Sequence, residues 1–276
     1  MYNDSFRIRY GIAPVAISEN TEHYDTAPHI HGEIELLLVE AGRAEITVSD
    51  RSFKVTEGEM VIVNPMDVHS IRADRSLPYH QKCICFDTSL IADKSLAGEL
   101  LSGDSIIAEY YSKGLAVTRK LKECFESLFL AVTKNSDSLL FESVAYVSLI
   151  FAALKDEGLI KRKTAKGKKA AFSRKVQEYL SLHYSEGITS EDAAREMFYT
   201  QSYFCRLFRE HFGVSFLEYL SMYRISVSKA MMTGEDSITR IAEAVGFLDL
   251  SYFSKCFKRL VGVSPTEYRK SQKSRQ

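Results

Sequence analysis

Between Ile34 and Phe86 apolar and polar residues alternate in short runs: EIELLLVEAG, RAEITVSD, RSFKVTEG, EMVIVNP, HSIRAD and HQKCICFD. Residues two apart share a strand face, so about half of each run faces an interior. Turn signals at Gly, Asp or Pro, about every 8–12 residues, predict a β-barrel or sandwich over roughly 15–87. From Leu90 to Leu154 the period becomes helical. In TRKLKECFESLFLAV, the residues Leu121, Cys124, Phe125, Leu128, Phe129 and Val132 form an i, i+3, i+4, i+7 stripe. One helix cannot bury such a stripe alone. A second copy of the chain, meeting it through residues about 115–155, or the β half itself must cover it. Leu139–Leu154 is apolar on most sides and predicts a buried helix. The stretch 161–170, KRKTAKGKKA, holds six Lys or Arg and no large apolar residue, as a solvated linker would. From Phe172 onward every segment has helical period.

The helical half contains a repeat. SYFCRLFREHFGVSFLEY, from Ser202 to Tyr219, returns as SYFSKCFKRLVGVSPTEYR from Ser251 to Arg269, at a constant offset of 49 residues. Such a repeat marks a supersecondary module used twice. In the second copy Ile238, Ile241, Ala242 and Val245 predict the buried face of one helix. Gly246 permits the turn, and Phe253, Phe257 and Leu260 predict burial of the next helix. Ser251, Ser254, Lys255 and Lys258 are left outside. The first copy is one residue shorter in the turn and has Phe198 where the second has Gly246. Its second helix, N-capped by Thr200, presents Gln201, Ser202, Cys205, Arg206 and Arg209. For Tyr203, Tyr252, Phe208 and Phe257, core packing is expected over base stacking.

Charge sharpens this division. The 36 Lys+Arg balance 36 Asp+Glu overall, but residues 161–276 carry 21 against 12, or +9, and residues 1–160 carry 15 against 24, or −9. A length of 276 residues suits about two domains. An acidic half joined to a basic half assigns polyanion binding to the C-terminal part. Five cysteines, none in CxxC spacing, predict reduced thiols. No apolar run approaches a membrane span and no signal core opens the chain, so a soluble cytoplasmic protein without membrane contact is expected.

From about Phe172 to Arg269 the chain resembles the AraC/XylS family of bacterial transcription regulators, through GFLDLSYFSKCFKRLVGVSPTEYR in particular. The resemblance implies two helix-turn-helix units joined by a long helix, about Phe216–Met232 with Arg224 in it. It also implies recognition helices entering successive major grooves of double-stranded DNA. By position Ser202 and Arg206, then Ser251 and Lys255, become the contacts, with Leu250 at the second helix start. Arg can fork onto guanine, whereas Lys is a point charge.

Five of seven histidines fall between His23 and His80. His29, His31 and Glu35 stand in HxHx3E spacing, with six residues between Glu35 and Gly42, and His69 follows NPMDV. Alternation can converge these four, and imidazole with carboxylate suits a transition metal. The first motif resembles that of the cupin barrel. The second departs from it, with His69 four residues after Pro65 and Asp67 in place of a turn glycine. NPMDVHS is more similar to the sensor barrels of the same regulator family, where these positions line a small-molecule pocket. Ligand-lining groups, a hydrogen-bond cluster and a metal centre therefore stay open, and the expectation adopted is a ligand pocket with no metal and no cofactor.

The expected architecture is an α+β two-domain chain. A cupin-like β-barrel with flanking helices covers 1–160, and an all-α domain of two helix-turn-helix units joined by a linker helix covers 171–276. The expected function is non-enzymatic. A small-molecule effector, a sugar or small organic acid, would control a DNA-binding homodimer that meets RNA polymerase. A metal-dependent cupin enzyme fused to a DNA-binding module is the alternative.

Overall fold

A computed structural model of the chain describes residues 9–10, 14–21, 25–101, 103–162, 168–232, 234–261 and 263–273. His23, Gly262, most of the segment before Pro14 and the middle of the lysine-rich stretch lie outside them. The strands are β1 (Arg9–Tyr10), β2 (Val15–Asn20), β3 (Ile34–Ala41), β4 (Arg43–Val48), β5 (Arg51–Thr56), β6 (Met60–Val63), β7 (His69–Ala73) and β8 (His80–Phe86). Then come α1 (Lys94–Leu101), β9 (Ser105–Ile107), β10 (Tyr110–Tyr111), α2 (Ala116–Lys134), α3 (Leu139–Asp156) and β11 (Ile160–Arg162). Helices α4 (Lys168–His183), α5 (Ser190–Glu196), α6 (Gln201–Phe212), α7 (Phe216–Met231), α8 (Ile238–Ala244), α9 (Leu250–Val261) and α10 (Pro265–Lys273) follow. The chain divides into two compact units, one of residues 1–27 with 33–164 and one of residues 28–32 with 165–276. No helix among the described residues is long and apolar enough to cross a membrane.

In the first unit the six alternating runs are β3 to β8. The expected barrel is observed as two antiparallel sheets, ordered β1-β2-β8-β3-β6-β10 and β5-β4-β7, with no ladder between them among the described residues. Strand β3 is central and buried on both faces, which alternation sorts. Ile34, Leu36 and Leu38 meet a cluster with Leu121, Phe125, Leu128 and Val147 of α2 and α3. Leu37 and Val39 face the other sheet, among Ile46, Val55, Val63 and Ile71. The unit is therefore a helical layer, a six-stranded sheet and a three-stranded sheet. Gly42 turns β3 into β4 at φ +78°, and a Cβ there would strike the Pro78 carbonyl.

Three expectations change here. The helical reading of Leu90–Leu154 missed β9 and β10, whose two or three residues are too few to establish a period. The linker expected over 161–170 is shorter, because β11 takes Lys161 and Arg162 at its start and α4 begins at Lys168. The α2 stripe is covered within the chain. Leu121, Phe125, Leu128 and Val132 are buried against the six-stranded sheet and α3, with Phe129 partly buried, so they do not form a face between copies. Leu130 of α2 stays outside, as does one side of α3, where Leu140, Phe141, Val144 and Leu149 are exposed.

Candidate functional site

The doubled module folds as two short helix pairs, α5–α6 and α8–α9. In the first, Thr189 and Asp192 form a reciprocal capping box that starts α5. Ala193 and Ala194 are buried, small enough for α6 to cross closely. The turn passes through Phe198, a non-glycine at φ +61° that is 91% exposed. Thr200 then accepts the Tyr203 backbone N–H and starts α6. Phe204, Phe208 and Phe212, four residues apart, are buried around Phe172 and Phe216. The opposite face leaves Gln201, Ser202, Cys205, Arg206 and Arg209 exposed, as expected. Gln201 Nε2 donates to Ser190 Oγ at 3.1 Å, which ties α6 to α5.

The second pair repeats this construction with glycine in the turn. Ser237 caps α8, and Ile241, Ala242 and Val245 are buried. Gly246 takes φ +89°, and a Cβ there would stand 2.7 Å from the Ser185 carbonyl oxygen. Asp249 Oδ1 accepts the Tyr252 N–H at 2.6 Å, the counterpart of Thr200 that the sequence reading missed. Phe253, Cys256 and Phe257 are buried. Leu250, Ser251, Lys255 and Lys258 are exposed, while Ser254 is half-buried and turned partly away from that face.

The repeated Gly-Val-Ser-x-x-Glu-Tyr has a physical cause. Ser215 with Glu218 and Ser264 with Glu267 form reciprocal capping boxes that start the helices after each pair. These hydrogen bonds hold both carboxyls below the usual range. Arg224 of the joining helix α7 donates to the carbonyls of Tyr184 and Glu186 at 2.7 and 2.6 Å, and its guanidinium lies over Phe247. It satisfies carbonyls at the end of α4 while bracing the second turn.

Tyr203 and Tyr252 overturn the core expectation, being 43% and 53% exposed. Each precedes the first inward phenylalanine by one residue, about 100° around the helix, and so stays at the rim. Tyr203 lies beneath the Arg206 guanidinium, 5.4 Å from ring centre, and Tyr252 packs beside Phe247. Both tyrosines therefore adjoin the cationic face.

Of the four polar residues singled out in the β half, Glu35 and His69 are brought together within the first unit, whereas His29 and His31 lie on the short segment 28–32 that clusters with the second. The His29 and His31 rings have centroids 5.9 Å apart. Glu35 lies between the sheets because it shares a face with Leu37. His69 Nε2 lies 2.9 Å from Glu35 Oε2, and its Nδ1 is 3.0 Å from the Asp67 carbonyl. Burial opposes the imidazolium, but the bond and charge of Glu35 outweigh it, and the His69 pKa is raised. In NPMDVHS the left-handed turn residue is Met66, at φ +65°, and not Asp67.

Three further groups share this interior and were not singled out in sequence. The Cys83 thiol donates to Glu35 Oε1 at 2.9 Å and lies 3.6 Å from Cys85 Sγ. Burial pushes the Cys83 thiol well above its usual range. On β2, paired with β8, the Ser18 hydroxyl and the Asn20 amide are buried with no hydrogen-bond partner among the described residues. Such orphaned groups are uncommon in native interiors. Two described cavities, of about 490 and 280 Å³, lie elsewhere, beside α5 and beside α1.

Residues 11–149 match the family profile of the AraC-like ligand binding domain, and residues 193–271 that of a helix-turn-helix domain. The chain is 29% identical to the uncharacterized HTH-type transcriptional regulator YisR of Bacillus subtilis, over 86% of this chain and 85% of that one. It is 29% identical to the raffinose operon transcriptional regulatory protein RafR of Pediococcus pentosaceus, over 72% and 71%. Its fold is similar to that of ToxT from Vibrio cholerae, solved with an unsaturated fatty acid bound, at a TM-score of 0.52, 17% identity and coverage of 95% and 97%.

Proposed function

The chain belongs to the AraC family of DNA-binding transcription regulators with an N-terminal ligand-binding domain, and on that premise we propose how its residues divide the work. Helices α6 and α9 are the recognition helices, entering successive major grooves of one duplex. Arg206 and Ser202, then Lys255 and Ser251, meet base edges, while Arg209 and Lys258 meet phosphates. Thr200, Gln201, Cys205, Leu250 and Ser254 complete the groove-facing surface, with Ser254 contributing least. The observation that carries this reading is the pair of capped helices with inward phenylalanines and outward cations, repeated at 49 residues.

We assign the effector to His29, His31, Glu35 and His69, with Ser18 and Asn20 supplying unsatisfied hydrogen-bonding groups. Those groups suit a small molecule rich in hydroxyls or bearing a carboxylate. The fatty acid bound to the similar ToxT bears a carboxylate, and the similar RafR regulates an operon for raffinose, a hydroxyl-rich sugar. Binding changes transcription by favouring one of two states of the unit. The protein works as a cytoplasmic homodimer through the exposed side of α3, engages RNA polymerase and performs no catalytic step. The test is His31→Ala. It should abolish the response to an effector found by screening sugars and organic acids, while DNA binding persists. A variant that still responds fully removes the polar cluster from the effector site.

A further inference from the structure

We propose that Cys83, Cys85 and Glu35 form a site for a thiophilic divalent cation such as Zn²⁺, in the interior between the two sheets. The three residues are placed by backbone pairing. Cys83 and Cys85 are two apart on β8 and therefore share a face, and Glu35 of β3 stands directly across from Cys85. One ligand atom from each lies within 4.8 Å of the others. The two sulfurs are 3.6 Å apart. Two thiolates on one tetrahedral zinc, each at about 2.3 Å, stand about 3.8 Å apart, so the unbound sulfurs already sit near the ligated spacing. Glu35 Oε1 is 2.9 Å from Cys83 Sγ and needs only to turn its lone pair from the thiol to the ion. Binding releases two thiol protons and leaves thiolate, the form that soft cations prefer.

The proposal does not rest on the effector assignment, and its test does not involve DNA. Full-length protein carrying Cys205→Ser, which removes the exposed thiol, is titrated with Co²⁺ as a spectroscopic substitute for Zn²⁺. One equivalent should bind with near-ultraviolet thiolate-to-cobalt charge-transfer absorption, which Zn²⁺ then displaces. Cys83→Ser and Cys85→Ser should each remove the band. Each should also weaken binding by at least the roughly tenfold that even outer-shell losses cost, whereas His29→Ala keeps both band and affinity. Zn²⁺ protection from alkylation, mapped by mass spectrometry on protein with both thiols intact, should fall on Cys83 and Cys85, and this needs no core variant to fold. Absence of saturable binding would reduce the cluster to hydrogen-bonded thiols and overturn the proposal. Binding without charge transfer, lost in His29→Ala, would overturn it in favour of the histidines.

Discussion

Replacing Gly246 by alanine tests whether the second recognition helix is aimed by its turn. At φ +89° an L-residue is strained by about 1–2 kcal/mol. The new Cβ would also stand 2.7 Å from the Ser185 carbonyl oxygen, 2.9 Å from its carbon and 3.0 Å from Arg224 Nη2. Two of these atoms are backbone, and the third belongs to the side chain that bonds the carbonyls of Tyr184 and Glu186. None is a free end that can move without loss, so overpacking adds about 1–3 kcal/mol. The total, about 2–5 kcal/mol, is a large share of an ordinary domain's stability. Hydrogen exchange of amides in α8 and α9 should accelerate by about 30-fold or more, at tenfold per 1.4 kcal/mol. The footprint should lose the half-site read by α9. Phe198 occupies the equivalent position at φ +61° and is almost wholly exposed, so Phe198→Gly should be neutral or stabilising by up to about 1 kcal/mol. Unchanged protection in Gly246→Ala, or a clearly destabilised Phe198→Gly, would refute the reasoning.

Arg206→Ala and Lys255→Ala should each cost roughly 1–3 kcal/mol on the cognate site and disturb base positions about one helical turn apart. Two footprints losing the same half would contradict the two-groove arrangement. With about six phosphates contacted, affinity measured by anisotropy should fall about a thousandfold from 50 to 200 mM salt, and a flat response would exclude the cationic face. Tyr203→Phe and Tyr252→Phe should weaken binding by about 1 kcal/mol alike on all sequences, as phosphate contacts would, and altered base preference would reassign them. In the C-terminal unit, hydrogen bonds from Thr189, Ser215 and Ser264 depress the carboxyls of Asp192, Glu218 and Glu267. A depressed carboxyl contributes stability above its unfolded value and loses it as pH falls through the folded one. The unit should therefore weaken below about pH 4.5, where these carboxyls begin to protonate when unfolded. Ser215→Ala with Ser264→Ala should flatten that slope in acid titrations followed by circular dichroism, and an unchanged slope would discount the caps.

Where chemistry is local, it was legible in the residues themselves. The runs from Ile34 to Phe86 became six strands because alternation reports a strand's two faces. Ser215-x-x-Glu218 and Ser264-x-x-Glu267 start helices because each box closes within four residues, and the 49-residue offset returned as two matching helix pairs. Periodicity also marked the α2 stripe as buried, but it could not say against what. Only the folded chain brought the six-stranded sheet and α3 over Phe125. Tyr203 and Tyr252 escaped for a related reason, since they border the apolar stripe and only the packing of the neighbouring helices sets where its rim falls. The convergence of Glu35 with Cys83 and His69 spans 48 and 34 positions along the chain. It exists because β8 pairs with β3 while β7 crosses from the facing sheet. A residue's pattern determines which way it points, whereas strand pairing between distant segments decides what it meets there.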